Sequence, residues 1–373
     1  MSKQQSVKLT DYVGFDTIAA QIGKKIFKKG LNFNIMLVGE SGSGKTTLVN
    51  TIFSKNFLES SGRKQAAEKS RKTTEILITT SVLTESNAKV RLTVIDTPGF
   101  GEQINNENCW VPLVKYIKDQ HVAYLENEIK PERERVIPDT RVHVCLYFLN
   151  SGYRGLRQID IEVLKRLCEV VNVVPVLSKA DTLTVDEKMK VKEKVREAIE
   201  LHRINIYPQP NPQDDQAEIE LNNKVKKVMP FAVVGSNLTY EEDGEIIKGR
   251  KNPWGIINIE NKDHCDFVLM RDFLLRTHLI DLVEVTSYKY YESFRTEQLQ
   301  HIRDMRGAQP AQTTQQAQQT QQAQQVQPTQ PTQQAQSANP FSIAIPAQQA
   351  KSPSFTKPSV QSSRKYISNA LSK

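Results

Sequence analysis

The chain has 373 residues, a quarter of them charged, and a formal net charge of +8. From Gly307 onward it carries Lys351, Lys357, Arg364, Lys365 and Lys373 and no acidic residue, so removing those five leaves +3 for the rest, too little for a nucleic-acid-binding core. No apolar run approaches the roughly 18 residues of a membrane span, the start MSKQQSVKLTDYVGF has no signal core, and Cys109, Cys145, Cys168 and Cys265 lack disulfide or metal-ligand spacing; reduced, buried thiols are expected.

In chain order, the first patterned stretch is Gln21 to Lys29. On a helix, Ile22, Ile26 and Phe27 share one side while Lys24, Lys25, Lys28 and Lys29 crowd the rest, which suits either an anionic headgroup surface or a merely solvated basic face. Next, the apolar run Phe33 to Val38 leads into Gly39-Glu40-Ser41-Gly42-Ser43-Gly44-Lys45-Thr46-Thr47, which reads as strand, glycine-rich turn and helix start. The glycines let backbone N–H groups converge on a di- or triphosphate, Lys45 reaches the β- and γ-phosphates, and the Thr46 hydroxyl ligates Mg²⁺. A polar, basic loop from Arg63 to Lys72 follows. Thr73 to Leu83 and Val90 to Ile95 then alternate with period two around a turn at Glu85 to Ala88, predicting an antiparallel hairpin. It ends in Asp96-Thr97-Pro98-Gly99, about fifty residues after the phosphate loop. An aspartate at a strand's carboxyl end can hold Mg²⁺ through water, and the Gly99 N–H can meet a γ-phosphate. Phe100 follows, and it cannot orient an attacking water as a glutamine can, so hydrolysis should be slow. Thr73, where the loop enters its strand, is the candidate for ordering Mg²⁺ and water, or else a strand-start threonine with a solvated hydroxyl.

Val142 to Leu149 and Val173 to Leu177 are continuous apolar runs, as expected of parallel strands covered on both faces, with a crossover helix from Ile159 to Val170. His143, inside the first run, reads as a satisfied core histidine. The second run ends in Ser178-Lys179-Ala180-Asp181: the Asp181 carboxylate can accept from both N1–H and the exocyclic amine of guanine, a pair adenine lacks, while the Lys179 stem covers the ring. Thr184-Val-Asp-Glu187 is a capping box for a helix to about His202. Phe231 to Ser236 reads as the last core strand and a loop over the base. Beyond it lie Gly249-Arg250-Lys-Asn-Pro-Trp254-Gly255, a strand from Ile256 to Glu260 and a helix from about Asp266 to Val283. A minimal Ras-like GTPase needs none of these. The remainder, 307–373, is rich in Gln, Ala, Thr and Pro and predicts a disordered tail; Phe341 to Ile345 and Tyr366 to Leu371 are its apolar islands.

From Tyr12 to Leu299 the chain closely resembles a septin. Tyr12-Val-Gly-Phe15, the Lys24 to Lys29 segment, GESGSGKTT, DTPGFGE, SKADTLT, FAVVGSN, GRKNPWG, Asp281 to Thr286 and Tyr290 to Arg295 follow in that family's order. The resemblance implies an α/β, Ras-like P-loop GTPase fold of three layers with a mostly parallel central sheet, plus a C-terminal septin-specific α+β element. The expected organisation is an N-terminal segment with a polybasic helix (1–30), a GTP-binding domain (31–240), the septin-unique element (241–306) and the tail. It further implies GTP/GDP and Mg²⁺ as cofactors, Thr73 as the switch threonine linked to hydrolysis, and Gly235 and Arg250 at the base. By the same resemblance, Glu187 is expected to reach a neighbouring subunit's nucleotide, Trp254 to support that contact, and the basic segment to bind phosphoinositide. Filaments of this chain or of several septins, alternating nucleotide-side and terminal-side interfaces at the cell cortex and division site, are the expected assembly. Two departures stand out: Arg154 where many septins place a histidine that crosses to the partner's phosphates, and no apolar heptads after Leu299 for a C-terminal coiled coil. A guanidinium can still hold a phosphate bidentately. A non-hydrolysing structural subunit and a soluble signalling switch are the competing readings.

Overall fold

Every side chain from Phe33 to Val38 is buried, and because successive strand residues point to opposite faces, this run must be covered on both. In the computed structural model, which describes residues 17–53, 76–85, 88–99, 106, 108–133, 136–153, 155–212, 214–242, 244–253 and 255–307, it forms β1 (Leu31–Gly39). The described residues fall in one compact unit, Met1–Gln309. A six-stranded sheet runs in the order β2-β3-β1-β4-β5-β6, with β2 (Leu77–Glu85), β3 (Ala88–Asp96), β4 (Val144–Asn150), β5 (Val173–Ser178) and β6 (Phe231–Ala232). β2 pairs antiparallel with β3; β3, β1, β4, β5 and β6 are parallel.

Register sets where the site lies. Leu37 pairs with Asp96, Gly39 with Phe148 and Asn150 with Ser178, so the carboxyl ends of four parallel strands form one rim. Open parallel sheets bind ligands at that rim. Helices α1 (Ile18–Lys29), α2 (Lys45–Ile52), α3 (Val111–Ile129), α4 (Gln158–Cys168), α5 (Val185–Leu201) and α6 (Gln216–Val228) are interspersed with the strands. A second sheet, β7 (Thr239–Glu242), β8 (Glu245–Asn252) and β9 (Gly255–Asn258), is antiparallel throughout.

The helix expected from about Asp266 to Val283 is instead a longer, interrupted run: α7 (Phe267–Asp272), a π-helical turn Phe273–Thr277, α8 (Leu279–Val285), a second π turn Thr286–Tyr291 and α9 (Glu292–Gly307). At the second turn, side chains compete for a backbone acceptor. Thr286 Oγ1 donates to Leu282 O at 2.8 Å, and Asn172 Nδ2, entering from the start of β5, also donates to Leu282 O at 3.1 Å. Inserted polar groups of this kind are where helices bulge. The strand expected to reach Glu260 stops at Asn258, whose side chain turns back to cap Glu260 N at 2.9 Å.

The C-terminal run is clamped to the sheet through Asp266. Its N–H donates to Ala232 O at 2.7 Å and its carboxylate accepts from Ala232 N at 2.7 Å, while Lys192 Nζ of α5 lies 2.6 Å from Oδ2. At the opposite end of the sheet, Arg141 lies against Tyr124 and Tyr291, its carbon 4.0 and 4.8 Å from the ring centres, and bonds Asp139. His143 is fully buried and satisfied as expected, accepting from Asn34 N at 3.0 Å and lying 3.3 Å from Asp139 Oδ2. Cys145, Cys168 and Cys265 are buried free thiols; Cys109 is half-buried. No helix among the described residues is long and apolar enough to cross a membrane.

Candidate nucleotide-binding site

The glycine-rich turn leaves β1 at Gly39 and enters α2 at Lys45. Gly44 is the N-cap, at φ 90°, and Gly42 sits at φ 71°; both lie in the left-handed region where a side chain is strained. Ser43 Oγ donates to Glu40 O at 2.9 Å, closing the turn. Lys45 is buried, and its ammonium donates to Gly39 O at 3.0 Å and Glu40 O at 2.8 Å, so it lies across the mouth of the loop. Thr47 O accepts from Thr51 Oγ1 inside α2.

Asp96 ends β3 directly beside this loop. Thr46 Oγ1 donates to Asp96 Oδ2 at 3.1 Å, while Asp96 Oδ1 is buried without a hydrogen-bond partner among the described residues. Burial pushes the Asp96 carboxyl above the usual carboxylate range, against the pull of Lys45 and Thr46. A buried, under-satisfied carboxylate paired with a hydroxyl is a donor set that fits Mg²⁺, whose charge reverses the desolvation penalty. Gly99 packs so closely on the loop that a Cβ there would lie 2.3 Å from Ser41 N. The two segments expected to flank the phosphates therefore touch, backbone to backbone.

The residues expected at the base converge from three elements. Lys179 adopts φ 53° between β5 and a short 3₁₀ turn, Ala180–Thr182, which holds Asp181. The Asp181 side chain is 4% exposed; Oδ2 lies 3.3 Å from Arg250 Nη1, and Oδ1 is buried without a partner among the described residues. Arg250 comes from β8 and Gly235 follows β6, where its Cα faces the backbone of Thr47 and Leu48. Lys248, also on β8, donates to Thr51 O of α2 at 3.3 Å. Ser151, after β4, meets Thr182 Oγ1 at 3.0 Å. Glu187 caps α5: it accepts from Thr184 N at 3.1 Å, and its own N–H donates to Thr184 Oγ1 at 3.3 Å.

The structure thus brings together Gly39, Ser41, Gly42, Ser43, Gly44, Lys45, Thr46, Thr47, Asp96 and Gly99 on one side, and Lys179, Asp181, Gly235 and Arg250 on the other. Thr73, Phe100, Arg154 and Trp254, the Arg63 to Lys72 loop, Tyr12 to Phe15 and the tail beyond Gly307 lie outside the described residues. Sequence reasoning missed the surroundings of Glu40. Its carboxylate accepts from Asn150 Nδ2 at 2.9 Å and Tyr153 OH at 3.2 Å and is bonded by Arg157 Nη1. Arg157 is 117 positions away, and no local signal joins the two.

A mostly parallel sheet in this order, with a glycine-rich loop after β1 and a buried carboxylate at the same rim, defines a Ras-like P-loop GTPase architecture. The septin family model matches residues 29–307. Septin homolog spn2 of Schizosaccharomyces pombe is 50% identical over 288 residues, covering 77% of this chain and 87% of that protein. Cell division control protein 10 of Saccharomyces cerevisiae is 48% identical over 289 residues, 77% of this chain and 90% of its own. Human neuronal-specific septin-3 is 50% identical over 279 residues, 74% and 78% respectively. Among solved structures, a septin GTPase domain from Chlamydomonas reinhardtii superposes with a TM-score of 0.53 over 71% of this chain and 98% of that one; at 24% identity it bears on the fold alone. The chain belongs to the septin family.

Proposed function

We propose that this septin binds GTP and GDP with Mg²⁺, hydrolyses GTP slowly, and polymerises with itself or other septins into a membrane-associated scaffold for cell division. The observation that carries the nucleotide reading is the pair of buried, half-satisfied carboxylates. Asp96 Oδ1 beside Thr46 fits a divalent cation, and Asp181 Oδ1 fits the N–H donors of guanine. Lys45, Gly42, Gly44 and Gly99 supply the positive charge and close backbone approach that phosphates require. Bound Mg²⁺ would neutralise charge on the β- and γ-phosphate oxygens. Thr73 is the proposed group for ordering water, and Phe100 is the reason for slow turnover.

Arg250 and Gly235 bound the base side, and the Asp181–Arg250 contact fixes the direction of the carboxylate. Glu187 already has a structural role as a cap, which is compatible with a second role toward a partner subunit's nucleotide, and Arg154 and Trp254 are assigned to the same contact. The names of relatives in two yeasts, cell division control protein 10 among them, support a place in the cytoskeleton at the division site. For membrane contact, the supporting feature is α1, where Ile18 and Ile22 are exposed together with Lys24 and Lys25. We assign 1–30, 31–240, 241–306 and 307–373 as basic segment, GTP-binding domain, septin-unique element and tail.

Sedimentation and electron microscopy of the purified chain, with single-turnover measurement of GDP release, test these assignments. Oligomers that shorten as salt rises and slow GDP formation are expected. A strict monomer at every nucleotide state and salt concentration refutes assembly. No product over hours from Mg²⁺-GTP refutes hydrolysis and favours a structural subunit, the reading that Phe100 leaves open and Thr73 argues against.

A further inference from the structure

Glu40 is the second residue of a loop that must accept a polyanion, and a carboxylate there opposes that task by simple repulsion. The structure shows how it is accommodated. Glu40 is 9% exposed and its side chain is turned onto the connection between β4 and α4. Asn150 Nδ2 donates to Oε2 at 2.9 Å, Tyr153 OH to Oε1 at 3.2 Å, and Arg157 Nη1 also bonds Oε1. Arg157 is itself fixed on three sides. Its Nε and Nη2 bond both oxygens of Asp160 at 2.9 and 3.0 Å, its carbon lies 4.3 Å from the centre of the Tyr153 ring, and Asp160 is held from behind by Tyr147 OH at 2.9 Å. Such a fork is a rigid, permanently charged anchor.

The main chain of Glu40 matters equally, because its carbonyl accepts from Lys45 Nζ at 2.8 Å and Ser43 Oγ at 2.9 Å. Whatever orients Glu40 therefore orients the carbonyl on which the phosphate-reaching lysine rests. We propose that Arg157 is a positioning residue for nucleotide binding, tying Glu40 to the β4–α4 connection and cancelling its charge so that an acid-bearing loop can accept phosphates. This inference rests on the nucleotide-binding reading above. It adds a residue outside every recognised segment of the site and explains why an acid sits inside a phosphate loop.

The test is equilibrium competition against a fluorescent GDP analogue, on the full chain, with GTP, GDP and guanosine as ligands. Arg157→Met exposes the phosphates to an uncompensated Glu40 and is expected to weaken GTP about tenfold, GDP less and guanosine least, with the loss shrinking at high salt. Glu40→Gln/Arg157→Met is expected to recover most of that loss, and Arg157→Lys, which keeps the charge, to lose less than Arg157→Met. Equal losses for GTP and guanosine, or a double variant no better than Arg157→Met, would overturn the proposal. Should Arg157→Met not fold, Glu40→Gln alone decides: the ratio of GTP to guanosine affinity should rise about two- to threefold, and a fall overturns it. Failure of the unaltered protein to bind any guanine ligand would instead overturn the nucleotide-binding reading itself.

Discussion

Replacing Asp181 by asparagine changes one side-chain oxygen to an NH₂ and, on the proposed assignment, reverses half of the surface offered to the base. Because the side chain is 4% exposed, its bonds to a purine form largely out of water, where hydrogen bonds to a charged group are each worth about 1.5–3 kcal/mol. The carboxylate offers two acceptors to the two donors of guanine, at N1 and the exocyclic amine. The amide keeps one neutral acceptor and sets its NH₂ against the guanine amine, donor facing donor. Losing the charge on one bond and the whole of the other costs about 2.5–4.5 kcal/mol, or roughly 10²- to 10³-fold in GTP affinity. Loss of the Arg250 contact adds little, since that guanidinium is 48% exposed. Xanthine carries a carbonyl where guanine carries the amine, so the same amide donates to it, and the variant should prefer XTP to GTP. Competition binding of GTP, XTP and ATP to both proteins measures this. GTP affinity within about threefold of the unaltered protein, or no preference for XTP, would refute the assignment of Asp181 to the base.

Two further outcomes follow from the geometry. Gly99→Ala puts a Cβ 2.3 Å from Ser41 N and 2.7 Å from Ser41 Cα, so backbone must move; about 1–3 kcal/mol of stability should be lost, and nucleotide affinity should fall by more than the melting temperature suggests. Acid should destabilise the fold through His121 and His278, each held to about 4 by burial, with Arg141 adding to the effect at His121. Since the folded values lie below that of an exposed histidine, the unfolded chain binds the extra protons. Their contribution is intact above about pH 6.5 and declines as pH falls toward 4, by about 3 kcal/mol each in the limit. Thermal melts from pH 7 to 5 should show falling stability, with a shallower slope for His278→Gln; an unchanged slope would refute the linkage.

The parts legible in the sequence were those encoded by neighbours along the chain. Val144–Asn150, Val173–Ser178 and the hairpin of Leu77–Glu85 and Ala88–Asp96 fall within a few residues of where apolar continuity and alternation put them. The capping box at Thr184 and Glu187 starts α5 where expected. Two helices went unread although signals existed. Leu113, Ile117, His121 and Leu125 form the buried stripe of α3, with a histidine breaking the apolar pattern, and α6 has the capping box Asp215 and Glu218 but only partly buries its apolar residues, among them Val225 and Val228. The strand at Phe231 is shorter than its apolar run, because only Phe231 and Ala232 pair with β5; Val233 and Val234 are buried in the loop that follows. Within the site, the phosphate loop and the two aspartates announced themselves by spacing. The Glu40 clamp and the Arg250–Asp181 pair did not, since each joins residues from distant elements, and only tertiary placement creates them.

The paired π turns at Phe273–Thr277 and Thr286–Tyr291 set the phase of everything that follows them. An α-helix advances about 100° per residue, so each wide turn acts as an inserted residue that rotates the downstream face by roughly that amount. Phe267 and Met270 of α7, Leu282 and Val285 of α8, and Tyr291 with Phe294 in the second wide turn and α9 can therefore all face inward, although no single helical stripe would collect them. Closing either turn into regular α-helix with its residues kept, or adding or removing a residue within α8 itself, would swing the next segment's apolar side out toward solvent. Residues that look dispensable for chemistry, in a stretch far from the phosphate loop, are in this sense as intolerant of changes in chain length as the loop is of changes in side chain.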